Sequence, residues 1–136
     1  MVKIYNVKAS RKTANARATI KPGVGKIRIN NHSLDSFVSG YKKSIVLEPT
    51  HIAQDEFNKF DFFINVNGGG VSGQIQAVRS CIAKGILVAN GNKKTLRDKF
   101  IKYDRYFLID DVRNTEPKKQ LGRGARKKKQ KSKRWF

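Results

Sequence analysis

The sequence predicts a mixed α/β domain followed by an extended basic tail. Three observations predict it. Apolar residues alternate with polar ones in "TANARATI", "KIRIN" and "KFDFFINVN", the period of a half-buried strand. From Val71 to Ile86 they recur every three or four residues, the period of one helix face. The last 24 residues, 113–136, carry almost no aliphatic side chain.

The elements follow in order. Ala14, Ala16, Ala18 and Ile20 lie on one face of a strand, with Thr13, Asn15, Arg17 and Thr19 on the other. Pro22, Gly23 and Gly25 supply a turn. In "KIRIN", Ile27 and Ile29 point in and Lys26, Arg28 and Asn30 point out. These two strands read as an antiparallel hairpin with a basic outer face. "SLDSFVSG" and "KKSIVLEPTHIAQDEF" read as short helices, with Pro49 forcing a break. Phe60, Phe62, Ile64 and Val66 then share the face of a strand. A helix runs from Val71 to about Ala89, with Val71, Ile75, Val78, Ile82 and Ile86 as its apolar face. Cys81, the only cysteine, lies beside that stripe as a small core residue. Gly85 interrupts the helix at a cost of ~1 kcal/mol relative to Ala; close approach of another backbone is the expected reason. "TLRDKFIKY" reads as a second helix, Thr95 and Asp98 resembling a capping box and Leu96 and Phe100 facing in. "YFLID" reads as a last strand.

Composition bounds the function. A chain of 136 residues is enough for one domain with a modest core. It is 38% hydrophobic and 29% charged, and its net charge of +20 points to a polyanionic partner. There is no stretch of 18 apolar residues and no apolar signal region, so a spanning or secreted chain is not expected. One cysteine makes no internal disulfide, and no Cys/His cluster suits zinc. His32 and His51 have no acidic or nucleophilic neighbours at useful spacing and read as structural or surface residues.

The charge has two centres. Residues 1–34 hold eight Lys/Arg and no acid; residues 35–112 hold eleven Lys/Arg and nine acids. Residues 113–136 hold eleven Lys/Arg and one acid, Glu116. The expected division is therefore a globular domain over 1–112 and a tail over 113–136. The tail cannot bury enough apolar surface to offset its ordering entropy. Its cations repel one another, and 24 residues at ~3.3 Å each reach roughly 80 Å. Such an arm threads where a domain cannot, ordering as phosphates neutralise it.

"NVNGGGVSGQ" contains Gly68, Gly70 and Gly73 as a G-x-G-x-x-G between a strand and a helix. A dinucleotide site also needs a second parallel strand ending in an acid about 20 residues on. Here "NGNKKTLRDKF" follows, and Asp98 lies inside a helix. The fingerprint fails in context. A glycine-rich turn at a helix N-terminus still lets a phosphate approach backbone N–H groups. With this charge, a nucleic acid backbone is the expected source of that phosphate. A small kinase-like enzyme is the alternative class, but Asp61 is the one candidate acid near the loop. A free-standing basic DNA- or RNA-binding protein is a third.

"RKTANARATI", "VNGGGVSGQIQAVRSCIAKGI", "YDRYFLIDDVRNTEPKK" and "GRGARKKKQKSKR" occur in that order. Together they resemble ribosomal protein nine of the small subunit, a universal family, over about Lys8 to Arg134. "EPKK" and "GARxxxQKS" are more similar to its archaeal and eukaryotic branch. The resemblance implies a four-stranded sheet backed by helices with a left-handed β-α-β crossover, like the second domain of ribosomal protein five. It implies a non-enzymatic, cytoplasmic constituent of the small subunit, with no cofactor, metal or small-molecule substrate. The partners it implies are the 3′ (head) domain of small-subunit rRNA, neighbouring head proteins and peptidyl-site tRNA.

By motif position, the resemblance assigns rRNA contacts to Arg11, Lys12 and Arg17, to Gly68, Gly69, Gly70, Gly73 and Gln74, and to Arg79, Arg105 and Arg113. In the tail it assigns them to Lys118, Lys119, Arg123, Arg126, Lys127, Lys128 and Lys129. Gln130, Lys131, Ser132, Lys133 and Arg134 would approach tRNA. The chain departs from the family at its end. Lys133 stands where relatives have tyrosine, and Trp135 and Phe136 extend past the arginine. Two readings stay open for that pair: stacking on exposed bases, or an apolar ending without a specific contact.

Overall fold

The computed structural model describes residues 3–126. Five strands form one sheet: β1 (Tyr5–Arg11), β2 (Ala14–Pro22), β3 (Ile27–Ile29), β4 (His32–Ser33) and β5 (Phe60–Asn67). The helices are α1 (Leu34–Phe37), α2 (Tyr41–Ile52), α3 (Gln54–Phe57), α4 (Val71–Ala89) and α5 (Lys94–Tyr103). A 3-10 turn covers Arg105–Phe107.

The strand order is β1-β2-β5-β3-β4. β1, β2 and β5 are antiparallel neighbours, whereas β3 runs parallel to β5. The expected sheet of four strands thus gains a two-residue edge pair, β4 on β3. The expected hairpin between β2 and β3 is corrected. β5 inserts between them, Ala18 pairing with Ile64 on one side and Ile29 with Ile64 on the other. The hairpin that does form joins β1 to β2 through Lys12 and Thr13, with Arg11 opposite Ala14. The parallel β3–β5 pair makes the intervening α1, α2 and α3 a β-α-β crossover.

Alternation sets the two faces. Ala14, Ala16, Ala18 and Ile20 of β2 are buried, as are Phe62, Ile64 and Val66 of β5. The three alanines leave room for α4 to lie close on β1 and β2. Ile75, Val78, Ile82 and Ile86 of α4 are buried on that face, each contributing about 1.5–3 kcal/mol. Val71, expected in the same stripe, is 58% exposed, because the first turn of α4 projects beyond the sheet. α2 and α5 pack on α4, with Val46, Leu96 and Phe100 buried. Cys81 is fully buried, its thiol near the Val7 and Ala16 carbonyls, and burial pushes it up to about 12.

Four further expectations are corrected. α2 runs through Pro49 and ends only at Ile52; the break is at Ala53, with φ −129° and ψ 54°. Thr95 and Asp98 form no capping box, because Lys93 occupies the cap position and no side chain bonds there. Gly85 meets side chains rather than backbone: a Cβ there would lie 2.6 Å from Ile20 Cδ1 and 2.7 Å from Phe62 Cε1. "YFLID" is not a strand. Asp104 Oδ1 accepts from the Tyr106 N–H, which starts the 3-10 turn and sends Phe107 into the core beside Phe100.

Candidate nucleic-acid interface

Residues far apart in sequence meet at one end of the sheet. β1 ends there at Arg11, β2 begins at Ala14, and Asn67 closes β5 opposite Asn15. The glycine loop and the start of α4 follow directly. Gly68 and Gly69 take left-handed φ values of +75° and +64°. A Cβ at Gly68 would lie 2.5 Å from the Thr13 carbonyl oxygen, and one at Gly69 2.9 Å from the Ala14 nitrogen. These glycines let the loop fold back and seat it on the β1–β2 turn. Gln74 Nε2 donates to the Gly68 carbonyl at 3.0 Å and fixes the loop from the helix side. A Cβ at Gly73 would stand 3.4 Å from the Arg11 carbonyl oxygen. Gly70 is different: its φ is −96° and a Cβ there would meet open space. It caps α4 without a side chain, so exposed backbone N–H groups stand at the helix start.

The root of the tail is fastened beside this loop. Arg11 Nε donates to Gln76 Oε1 and its Nη1 to the Arg113 carbonyl, both at 2.8 Å. Asp111 takes three guanidinium bonds and the backbone N–H from Arg113, and Arg11 stands 3.7 Å away. The Arg113 side chain, then its backbone N–H, hold the Asp111 carboxyl well below the usual carboxylate range, with the Arg11 charge adding to them. Arg11 and Asp111 form a parallel backbone bridge on the edge of β1. Lys84 Nζ reaches Asp110 at 2.8 Å, and Ser80 Oγ donates to the Tyr106 carbonyl at 2.9 Å. One edge of α4 therefore holds Tyr106 and Asp110 directly and, through Gln76 and Arg11, the Arg113 carbonyl.

Sequence reasoning missed this edge. Gln76, Ser80 and Lys84 recur every four residues beside the apolar stripe, which was the available signal. It also missed β1, although Tyr5, Val7 and Ala9 alternate with Asn6, Lys8 and Ser10.

The expected contact residues fall into three groups. Lys12 and Arg17 are exposed, Lys12 in the β1–β2 turn and Arg17 on the uncovered sheet face opposite Lys8 and Asn65. Arg105, Lys118, Lys119 and Arg123 are exposed as well. Arg11 and Arg79 are engaged inside the protein, with side chains only 14% and 13% exposed. Arg79 binds Glu48 of α2 at 2.8 Å and Asp104 at 3.1 Å, and its guanidinium lies 4.0 Å over the Phe107 ring. It ties α2, α4 and the 3-10 turn together. Arg113 is exposed but paired with Asp111, and Arg126 is exposed but paired with Glu116. That second pair, with the Lys119 N–H donating to the Gly124 carbonyl, closes the early tail into a loop. Lys127, Lys128 and Lys129, and Gln130 to Arg134 with Trp135 and Phe136, lie outside the described residues.

Among the described residues no group of three or more His, Cys, Asp or Glu side chains is placed to hold a metal ion. No described helix is long and apolar enough to cross a membrane. A small α/β body with basic loops, a fastened tail root and glycines used for packing has the form of a structural scaffold. The family model described as ribosomal protein S9/S16 matches residues 9–134, so the chain belongs to that family, whose members are structural proteins rather than enzymes.

The relatives agree. The chain is 43% identical over 131 residues to small ribosomal subunit protein uS9 of Methanothrix thermoacetophila, covering 96% of this chain and 98% of that one. The uS9 protein of Methanococcus maripaludis is 41% identical over 133 residues, covering 96% and 98%. That of Thermoplasma acidophilum is 44% identical over 122 residues, covering 90% and 94%. All three are archaeal proteins, in line with the branch that "EPKK" and "GARxxxQKS" resemble.

Proposed function

We propose that this chain is a structural constituent of the cytoplasmic small ribosomal subunit. Its globular part, residues 1–112, docks on the 3′ (head) domain of small-subunit rRNA among neighbouring head proteins. Its tail, residues 113–136, threads rRNA towards the peptidyl site, where Gln130 to Arg134 contact tRNA. The observation that carries the reading is the family match, which runs through both parts to residue 134. The +20 charge and its concentration at the two ends support it.

The geometry refines the roles. Lys12, Arg17, Arg105, Lys118, Lys119 and Arg123 are exposed and contact RNA phosphates directly. Gly70 and the open start of α4 admit a phosphate to backbone N–H groups. Gly68, Gly69, Gly73 and Gln74 shape that loop, and Arg11 and Arg79 position it and the tail root from inside the protein. Arg113 and Arg126 add charge at the surface while holding Asp111 and Glu116, and Lys127, Lys128 and Lys129 continue the phosphate-neutralising run. The crossover joining β3 to β5 takes the left hand that the family resemblance implies, against the usual right-handed preference.

Deletion of Lys131 to Phe136 tests the tail. Subunits carrying the shortened chain assemble at the normal level and release peptidyl-site tRNA faster in a filter-retention assay. Loss of the protein from assembled subunits would make the tip an assembly element and contradict the assignment.

A further inference from the structure

The sheet has a second face that no described helix covers, and one aromatic ring stands on it. Phe63, on the central strand β5, is 41% exposed, although its neighbours Phe62 and Ile64 are buried. Thr19 of β2 and Arg28 of β3 flank it directly. Lys21 Nζ lies 5.4 Å from its ring centroid. One step further along the same face, Arg17 pairs with Lys8 on β1 and Asn65 on β5. Lys8, Arg17, Lys21 and Arg28 are all exposed.

Two acids border this face, and both are engaged. Asp110 accepts from Lys84 Nζ at 2.8 Å and from Ser10 Oγ at 3.4 Å. Asp61 Oδ1 accepts the backbone N–H groups of Val24, Gly25 and Lys26 at 3.0–3.1 Å. Its charge closes the turn after β2 and leaves the four cations without an ion-pair partner among the described residues. The Asn65 carboxamide makes no hydrogen bond among them either.

We propose that this face is a second RNA-binding surface, on which Phe63 stacks against an unpaired base of small-subunit rRNA. The proposal rests on the reading that the globular domain binds rRNA. A protein partner would meet an apolar centre depleted of charge. Here a single ring is surrounded by cations, which suits a polyanion. A duplex hides its base planes, so only a splayed-out base can cover the ring. Lys8, Arg17, Lys21 and Arg28 then hold the flanking phosphates, and the Asn65 amide reaches a base edge. Ring–base stacking tolerates any base, so Phe63 contributes affinity rather than sequence choice.

The test uses the full chain, transcribed small-subunit rRNA and a heparin competitor. Phe63→Tyr keeps the ring, and Phe63→Ile keeps an apolar, strand-favouring residue without it. We expect Phe63→Tyr to bind within about twofold of the parent and Phe63→Ile to lose about tenfold. The salt dependence of Phe63→Ile should match the parent, whereas Arg28→Gln should lower the salt slope by about one. Short-wave ultraviolet crosslinking of the unmodified chain in assembled subunits should join the Phe63 peptide to an rRNA nucleotide. Parent-like binding by Phe63→Ile, or a crosslink from this peptide to another protein, would overturn the proposal and leave rRNA binding intact. Failure of the parent chain itself to bind rRNA would overturn the underlying reading and the proposal with it.

Discussion

The glycine loop separates two roles that sequence alone merges, and a pair of substitutions isolates them. Gly69→Ala adds a Cβ 2.9 Å from the Ala14 nitrogen at a φ of +64°. The left-handed backbone costs about 1–2 kcal/mol for a residue with a side chain. Crowding against fixed backbone adds about 1–3 kcal/mol. A loss of about 2–5 kcal/mol in unfolding free energy follows, readable by urea denaturation. Gly70→Asp faces neither obstacle, since its φ is −96° and its Cβ position is open. Asp is also the better cap, so α4 gains a few tenths of a kcal/mol. The new carboxylate stands where the account places a phosphate. Gly70→Asp should therefore fold at least as well as the parent and bind small-subunit rRNA more weakly, with the deficit largest at low salt. Parent-like rRNA binding by Gly70→Asp would show that the loop lies away from RNA. Parent-like stability of Gly69→Ala would show that the loop does not sit on the β1–β2 turn.

Two further outcomes follow from the packing and the electrostatics. Gly85→Ala gains up to ~1 kcal/mol of helix propensity and crowds Ile20 Cδ1 and the buried Phe62 ring, which is stacked on Phe57. The net result is a loss of about 1–2 kcal/mol, partly restored by adding Ile20→Val; additive losses in the double variant would argue against the contact. Asp61 has its carboxyl held below the ordinary value first by the Lys26 N–H, then by those of Val24 and Gly25 and the Lys26 charge, against a partial burial that raises it. A carboxyl depressed on folding stabilises fully above its unfolded value of ~3.9 and loses that contribution as pH falls through the folded value. Asp61→Asn should therefore cost about 1 kcal/mol at pH 5–8, and the gap to the parent should close below about pH 4 in urea titrations; a gap independent of pH would contradict the assignment.

The parts of the fold that sequence made legible are those set by local period. β2, β5 and α4 were each readable from apolar spacing, and α4 spans Val71–Ala89, the range expected for it, three residues past the last stripe residue, Ile86. Strand pairing was not readable, because it depends on which distant segment arrives between two others. β2 and β3 look like a hairpin across "KPGVG", yet β5, thirty residues on, occupies the place between them. "YFLID" failed for a different reason: its apolar run is too short to show a period, and the Asp104 cap and the Arg79 stack on Phe107 decide its shape. At the candidate interface, exposure was the hidden variable. "RKTANAR" shows two equivalent arginines, but Arg11 is engaged by Gln76, Asp111 and Arg113 while Arg17 stands free on the sheet. In the glycine loop, Gly68 answers to the Thr13 carbonyl and Gly69 to Ala14, contacts that the spacing of the glycines does not reveal.

The most direct test of the account is where the protein sediments in a cell lysate. A sucrose gradient run at low and at moderately high salt should place it with the small subunit and with whole ribosomes in both. A protein found at the top of the gradient, or stripped from the particles by modest salt, would be a loose polyanion binder and would contradict the role of a structural constituent.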